Sequence, residues 1–279
     1  MQFWQTSRFD IDLQTPKIMG IVNVTPDSFS DGGLYQETAA AIRHAELLLK
    51  NGVDILDIGA ESTRPGSPAV AAHDELARLL PVLKELVKWQ VPISVDTYKA
   101  EVMAAALDMG ADIINDVWAL RQPRALDVVQ RHARCGVCLM HMHGDPQTMH
   151  RNHMQGSVLG AVRAFFTDRV TEVVSTGVNR NRIVLDPGFG FGKSVADNFA
   201  LLANQKALED LGLPLLAGWS RKGSLGTVTG RPVEQRMVAS VAAAVLAVER
   251  GARIVRVHDV AETTDALKVW CAMQENGTR

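Results

Sequence analysis

Apolar and polar positions follow two rhythms that take turns along the chain. Short β-branched apolar runs end in polar residues or glycine, and each is followed by a stretch with helical spacing. The runs are residues 18–25, 55–62, 93–98, 113–117, 136–142, 183–188, 215–220 and 254–259. Amphipathic or alanine-rich segments lie between them, at 39–50, 74–89, 99–109, 157–175 and 234–250. Near-continuous Val/Ile runs predict strands buried on both faces, hence a parallel sheet. Gly52, Gly110, Gly177, Gly212 and Gly251 stand where helices should stop, because glycine takes the left-handed conformation cheaply.

Eight strand–helix units predict an α/β fold in which a single (β/α)8 barrel accounts for residues 1–279 as one domain. Residues 1–17 form an N-terminal extension, expected as a small β-hairpin over the barrel bottom. A doubly wound open sheet is the rival, but similar units with no break in composition favour closure. Barrel enzymes carry their chemistry at the C-terminal strand ends, and those ends are polar here. They hold Asn23, Asp57, Asp96, Asn115 with Asp116, Asp186, Ser220 to Lys222, and Arg256 with His258. Side chains alternate along a strand, which predicts that Arg256 and His258 share a face, as do Ser94 and Asp96, and Ser220 and Lys222. A single buried carboxylate is usually a structural partner. Asp96, Asn115, Asp186, Lys222, Arg256 and His258 at one barrel mouth are costly to bury without each other or a ligand, so they predict a shared small-molecule site.

Composition narrows the chemistry. Lys and Arg number 29 against 31 Asp and Glu, a net charge of −2, which argues against a general binder of nucleic acid or anionic membranes. Three cysteines are too few for a disulfide framework, and with no leader-like start they predict a reducing, cytoplasmic setting. Residues 238–248 form the longest apolar stretch, too short for a membrane span, and predict a packed helix. The run Gly188 to Ser194 is one residue short of a Walker loop, with Pro187 where the first glycine should be. Cys135 and Cys138 lack a second pair, and His141, His143, His150 and His153 read as polar loop residues rather than a zinc site. Met140, Met142, Met149 and Met154 read as packing.

Carboxylates deep in a pocket suit a group with adjacent N–H donors, such as a 2-aminopyrimidinone edge. Arg, His and Lys at the mouth suit a phosphate or pyrophosphate. Asn23, with phosphate oxygens and waters, could hold Mg²⁺. Glycines around Phe29 and Phe189 to Phe191 mark two loops able to close over a second substrate.

Eight segments together resemble the dihydropteroate synthase family of folate biosynthesis. They are residues 20–33, 57–66, 95–97, 114–116, 139–142, 185–193, 220–222 and 256–259, in family order. The resemblance implies a barrel transferase that joins 6-hydroxymethyl-7,8-dihydropterin pyrophosphate to p-aminobenzoate, with Mg²⁺, giving 7,8-dihydropteroate and pyrophosphate. It implies that Asp96, Asn115, Asp186 and Lys222 bind the pterin, and that Thr63, Arg64, Arg256 and His258 hold the pyrophosphate. Asn23 would touch the metal. Phe29, Pro65, Phe191 and Lys222 would shape the p-aminobenzoate pocket, which sulfonamides also occupy. Asp31, Lys222, Arg256 and His258 would act in catalysis, Asp31 by stabilising a pterin carbocation. A homodimer through late helices is implied too. One departure stands out: the family often has serine after Ser-Arg-Lys, where this chain has Gly223. The competing readings are a catalytically silent pterin-binding paralogue, a pterin-binding methyltransferase domain and a purely structural barrel.

Overall fold

Eight parallel strands close into a barrel in chain order, the last beside the first, in the computed structural model. The described residues are 2–24, 33–62, 67, 69–145, 149 and 154–277. The barrel strands are β3 (Lys17–Asn23), β4 (Ile55–Gly59), β5 (Ile93–Asp96), β6 (Ile113–Asp116), β7 (Gly136–Met140), β8 (Ile183–Asp186), β9 (Leu215–Ala217) and β10 (Ala252–Val257). Helices α1 (Gly33–Lys50), α2 (Ala72–Leu86), α3 (Ala100–Met109), α4 (Ala125–Arg131), α5 (Val158–Ser175) and α6 (Val195–Asn204) alternate with them. The connection after β9 carries a short extra helix, α7 (Gly223–Thr229), before α8 (Met237–Glu249), and α9 (Val260–Asn276) ends the barrel. No described helix is long and apolar enough to cross a membrane.

The expected barrel and hairpin are both present. β1 (Phe3–Gln5) and β2 (Asp10–Asp12) pair antiparallel. They seat Trp4, Ile11 and Leu13 against Met19, Ile55, Ile113, Cys138, Val184, Leu216 and Ile254, the apolar lower filling of the barrel. Trp4 is fully buried and its indole N–H donates to the Arg182 carbonyl at 2.8 Å, so the plug keeps its one polar atom satisfied. Arg8 extends the seal with a fork onto Asp112, Nη2 to Oδ2 at 2.6 Å. The glycine stops also hold: Gly52, Gly110, Gly177, Gly212 and Gly251 all have positive φ.

Element boundaries differ from the sequence reading in a consistent way. Most strands stop two or three residues before the apolar run does, because the polar residues turn out of the sheet into the upper loops. The segment read as one helix from 234 to 250 is a 3-10 turn (Val233–Gln235) followed by α8. β9 ends at Ala217, so the alternation argument does not reach Ser220 and Lys222. Arg221 between them has φ of 59°, and Lys222 becomes the N-cap residue of α7.

Candidate active site

The inward face of four strands changes chemistry within one step of two residues. Ile55 is followed by Asp57, Ile113 by Asn115, Val184 by Asp186 and Ile254 by Arg256. The lower member of each pair fills the apolar barrel floor, so the period of two carries the upper member inward at the mouth. Register adds the neighbours: Asp57 lies beside Ser94, and Asp96 beside Asn115.

Asp57, Ser94, Asp96, Asn115 and Arg256 form one connected network. Arg256 donates from Nε to Asp57 Oδ2 at 2.6 Å and from Nη2 to Asp96 Oδ2 at 2.8 Å. Asp57 also accepts from Ser94 Oγ at 2.6 Å and from Asn115 Nδ2 at 3.3 Å. Asp57 is fully buried, and these donors satisfy its oxygens. Asp96 is different. Its Oδ1 is buried and has no hydrogen-bond partner among the described residues. Burial pushes its carboxyl up to about 7, against the pull of Arg256 and reinforced by Asp57. Burial also raises Asp186, opposed by the Gly188 N–H that donates to its Oδ1 at 2.8 Å and by Lys222 and Lys193. Burial lowers Arg256, but Asp57 and Asp96 outweigh it and hold the guanidinium charged.

The rim is built from loops. The loop after β8 turns at Gly188, Gly190 and Gly192, all with positive φ. Lys193, in the same run that imitates a Walker loop, is buried and donates to the carbonyls of Gly188 at 2.8 Å, Phe191 at 3.2 Å and His141 at 3.3 Å. It fixes this loop rather than facing a nucleotide, and burial lowers its ammonium to about 7. Lys222 Nζ lies 4.2 Å from the Phe191 ring centroid, a cation–π contact across the mouth. His258 Nδ1 and Ser220 Oγ are 2.9 Å apart, and the His258 backbone N–H donates to the same hydroxyl at 3.1 Å.

Asn23 ends β3 opposite Gly59 of β4. A Cβ on Gly59 would lie 3.9 Å from both Asn23 Oδ1 and Asp96 Oδ2, so the glycine keeps open a gap between two oxygen donors. No group of three His, Cys, Asp or Glu side chains able to hold a metal occurs among the described residues. Asn23 Oδ1, which faces this gap, is an oxygen of the kind a hard cation takes.

The structure thus brings together Asp96, Asn115, Asp186, Lys222, Phe191, Arg256, His258 and Asn23. Phe29, Asp31, Thr63, Arg64 and Pro65 lie outside the described residues, as do His150 and His153. Asp57 was visible on its strand, but its role as the hub of the network was not. Its signal was the two-residue step from Ile55. His141 belongs to the frame rather than to the rim: it packs edge-on against Phe165, 5.1 Å between centroids, and burial lowers its imidazole to about 3. Glu61, just before the undescribed segment, is ion-paired with Lys99, which also pairs with buried Glu75. Neither Lys99 nor Glu75 carried a sequence signal.

Comparison with known proteins agrees with this geometry. The family model of pterin binding enzymes matches residues 19–258. Dihydropteroate synthase of Neisseria meningitidis serogroup B is 51% identical over 279 residues, covering 98% of each chain. Xanthomonas albilineans dihydropteroate synthase, solved with 4-aminobenzoic acid, superposes with a TM-score of 0.90 at 51% identity, covering 95% of each chain. The Burkholderia cenocepacia enzyme, complexed with 7,8-dihydropteroate, gives 0.91 at 47% identity, over 99% of this chain and 98% of that one. Barrel and mouth together define a pterin-binding (β/α)8 enzyme. Within that class the chain belongs to the dihydropteroate synthase family, transferases of folate biosynthesis.

Proposed function

We propose that this chain condenses 6-hydroxymethyl-7,8-dihydropterin pyrophosphate with p-aminobenzoate to give 7,8-dihydropteroate and pyrophosphate. The observation that carries this reading is the buried Oδ1 of Asp96, without a hydrogen-bond partner among the described residues and set in one mouth with Asn115, Asp186 and the cationic Arg256. A flat heterocycle with adjacent N–H donors satisfies the carboxylates, and a pyrophosphate tail satisfies the cations at the rim.

In the reaction the pterin methylene C–O bond breaks and its electron pair leaves with pyrophosphate. The p-aminobenzoate nitrogen lone pair forms the new C–N bond, and that nitrogen then loses a proton. Asp96, Asn115 and Asp186 orient the pterin. Arg256 and His258, with Thr63 and Arg64, take up charge on the departing pyrophosphate. His258 is held for this by Ser220. Asp31 stabilises the positive charge developing on the pterin methylene. Phe191, Lys222, Phe29 and Pro65 wall the p-aminobenzoate pocket, and the aniline nitrogen, neutral at pH 7, needs no strong base. Mg²⁺, when bound at Asn23, supplies further neutralisation of the leaving group.

Two finer assignments go with this reading. The outer face of α8 and α9 supports a homodimer, because Val238, Leu246, Val269 and Met273 are all exposed there. Free, buried Cys135 and Cys138 fit a reducing, cytoplasmic setting. The test is pyrophosphate release by the purified protein with the pterin pyrophosphate, Mg²⁺ and p-aminobenzoate, each omitted in turn. Release that requires all three is expected. Pterin binding without release would point instead to a silent paralogue.

A further inference from the structure

One amide joins the two chain segments that carry Phe191 and Lys222. Asn198, on α6, is almost wholly buried, at 1% exposure. Its Oδ1 accepts from the Gly190 N–H at 2.7 Å. Its Nδ2 donates to the carbonyls of Ser194 at 2.9 Å and Lys193 at 3.2 Å, and to Ser224 Oγ at 3.0 Å. The donors and acceptors fix the amide's orientation: only an oxygen can accept from Gly190, and only the NH2 can donate to two carbonyls. Gly190 directly precedes Phe191, and Ser224 follows Lys222 by two residues.

The two segments also touch above this amide. A Cβ on Gly190 would lie 3.2 Å from Lys222 Cδ, so the lysine stem lies across the Gly190 turn while its Nζ reaches the Phe191 ring. The floor of that contact is the Asn198–Ser224 bond. Lys222 is followed by Gly223 and then Ser224. A Cβ at 223 would meet nothing within 4 Å, whereas Ser224 is buried at 7% exposure and turned to Asn198. The Ser224 hydroxyl therefore serves the brace, whereas a side chain at 223 would face open space.

We propose that Asn198 and Ser224 are positioning residues for p-aminobenzoate: they lock the loop after β8 to the start of α7 and so set the spacing of Phe191 and Lys222. This rests on the reading of the site given above. Neither residue is hydrogen-bonded to the pterin carboxylates, and Phe191, which follows the braced Gly190, belongs to the p-aminobenzoate wall alone, so the effect falls mainly on that substrate. The brace acts through loop geometry, and the loss of one of its bonds loosens the pocket wall without emptying it.

Steady-state kinetics of Ser224→Ala test this, with each substrate varied in turn. Removal of one oxygen should raise KM for p-aminobenzoate by about three- to tenfold, the worth of one net hydrogen bond. KM for the pterin pyrophosphate and kcat should stay within about twofold. A merely structural role would lower thermal stability and affect both substrates alike. In an Asn198→Ala background, where Ser224 Oγ has lost its partner, Ser224→Ala should add nothing further. Equal changes in both KM values, an unchanged p-aminobenzoate KM, or additive effects of the two substitutions would overturn the proposal. Wild-type protein without turnover would overturn the functional reading instead, so the two failures are separable.

Discussion

Burial raises the Asp96 carboxyl from 3.8 to about 7 even with Arg256 beside it. The charged form is therefore costly in the free protein, and the cost has a definite pH dependence. Between 3.8 and about 7 the folded state binds more protons than the unfolded state, so stability falls as pH rises through that window. Asp96→Asn removes this dependence. Its melting temperature should exceed that of the wild type by a margin that grows across the window and levels off above it, while pterin binding is lost. A margin that shrinks with rising pH would contradict the account. At this scale the sequence was legible where a polar residue sits two positions after an inward apolar one, as in Val184 to Asp186 and Ile254 to Arg256. The Asn198–Ser224 bond was not legible. It spans 26 positions and joins two loops that no periodicity relates.

At the scale of elements, the hairpin β1–β2 and the loop after β8 occupy opposite ends of the barrel and do different work. The hairpin closes the floor. Trp4→Ala empties a fully buried site and should cost about 3–5 kcal/mol of stability. Because the mouth is built from the other strand ends, kcat and both KM values below the melting transition should remain near wild type. Chemical denaturation and kinetics on the same preparation check both halves. A large loss of turnover in the folded variant would show that floor and mouth are coupled. Strand existence and order were readable because a parallel barrel strand is a near-continuous Val/Ile run. Strand ends were not, since the run continues in sequence after the backbone has left the sheet. That is why Ser220 and Lys222, read as one strand face, stand instead on a turn with Arg221 at positive φ between them.

For the whole molecule, closure of the barrel gathers the polar strand ends onto one face, and α8 and α9 lie on its outer wall. Val238 is 74% exposed and Val269 is 72% exposed on these adjacent helices, an apolar face that a second copy would cover. Val238→Glu should give a monomer by sedimentation, whereas the wild type should sediment as a dimer. A wild type that sediments as a monomer would remove the dimer from the account. The alanine-rich composition of 238–248 announced a packed helix, and α8 is packed on one side only: Ser240, Ala243, Ala244, Ala247 and Val248 are buried, while Val238 and Leu246 face out. The central claim remains that the strand-end carboxylates of this one mouth recognise a pterin. Calorimetric titration of 6-hydroxymethyl-7,8-dihydropterin into wild type and Asp186→Asn tests it most directly. The account predicts binding by the wild type and affinity weakened by about tenfold or more in the variant, the worth of a charge-assisted hydrogen bond. Equal affinity in a folded Asp186→Asn protein would contradict it.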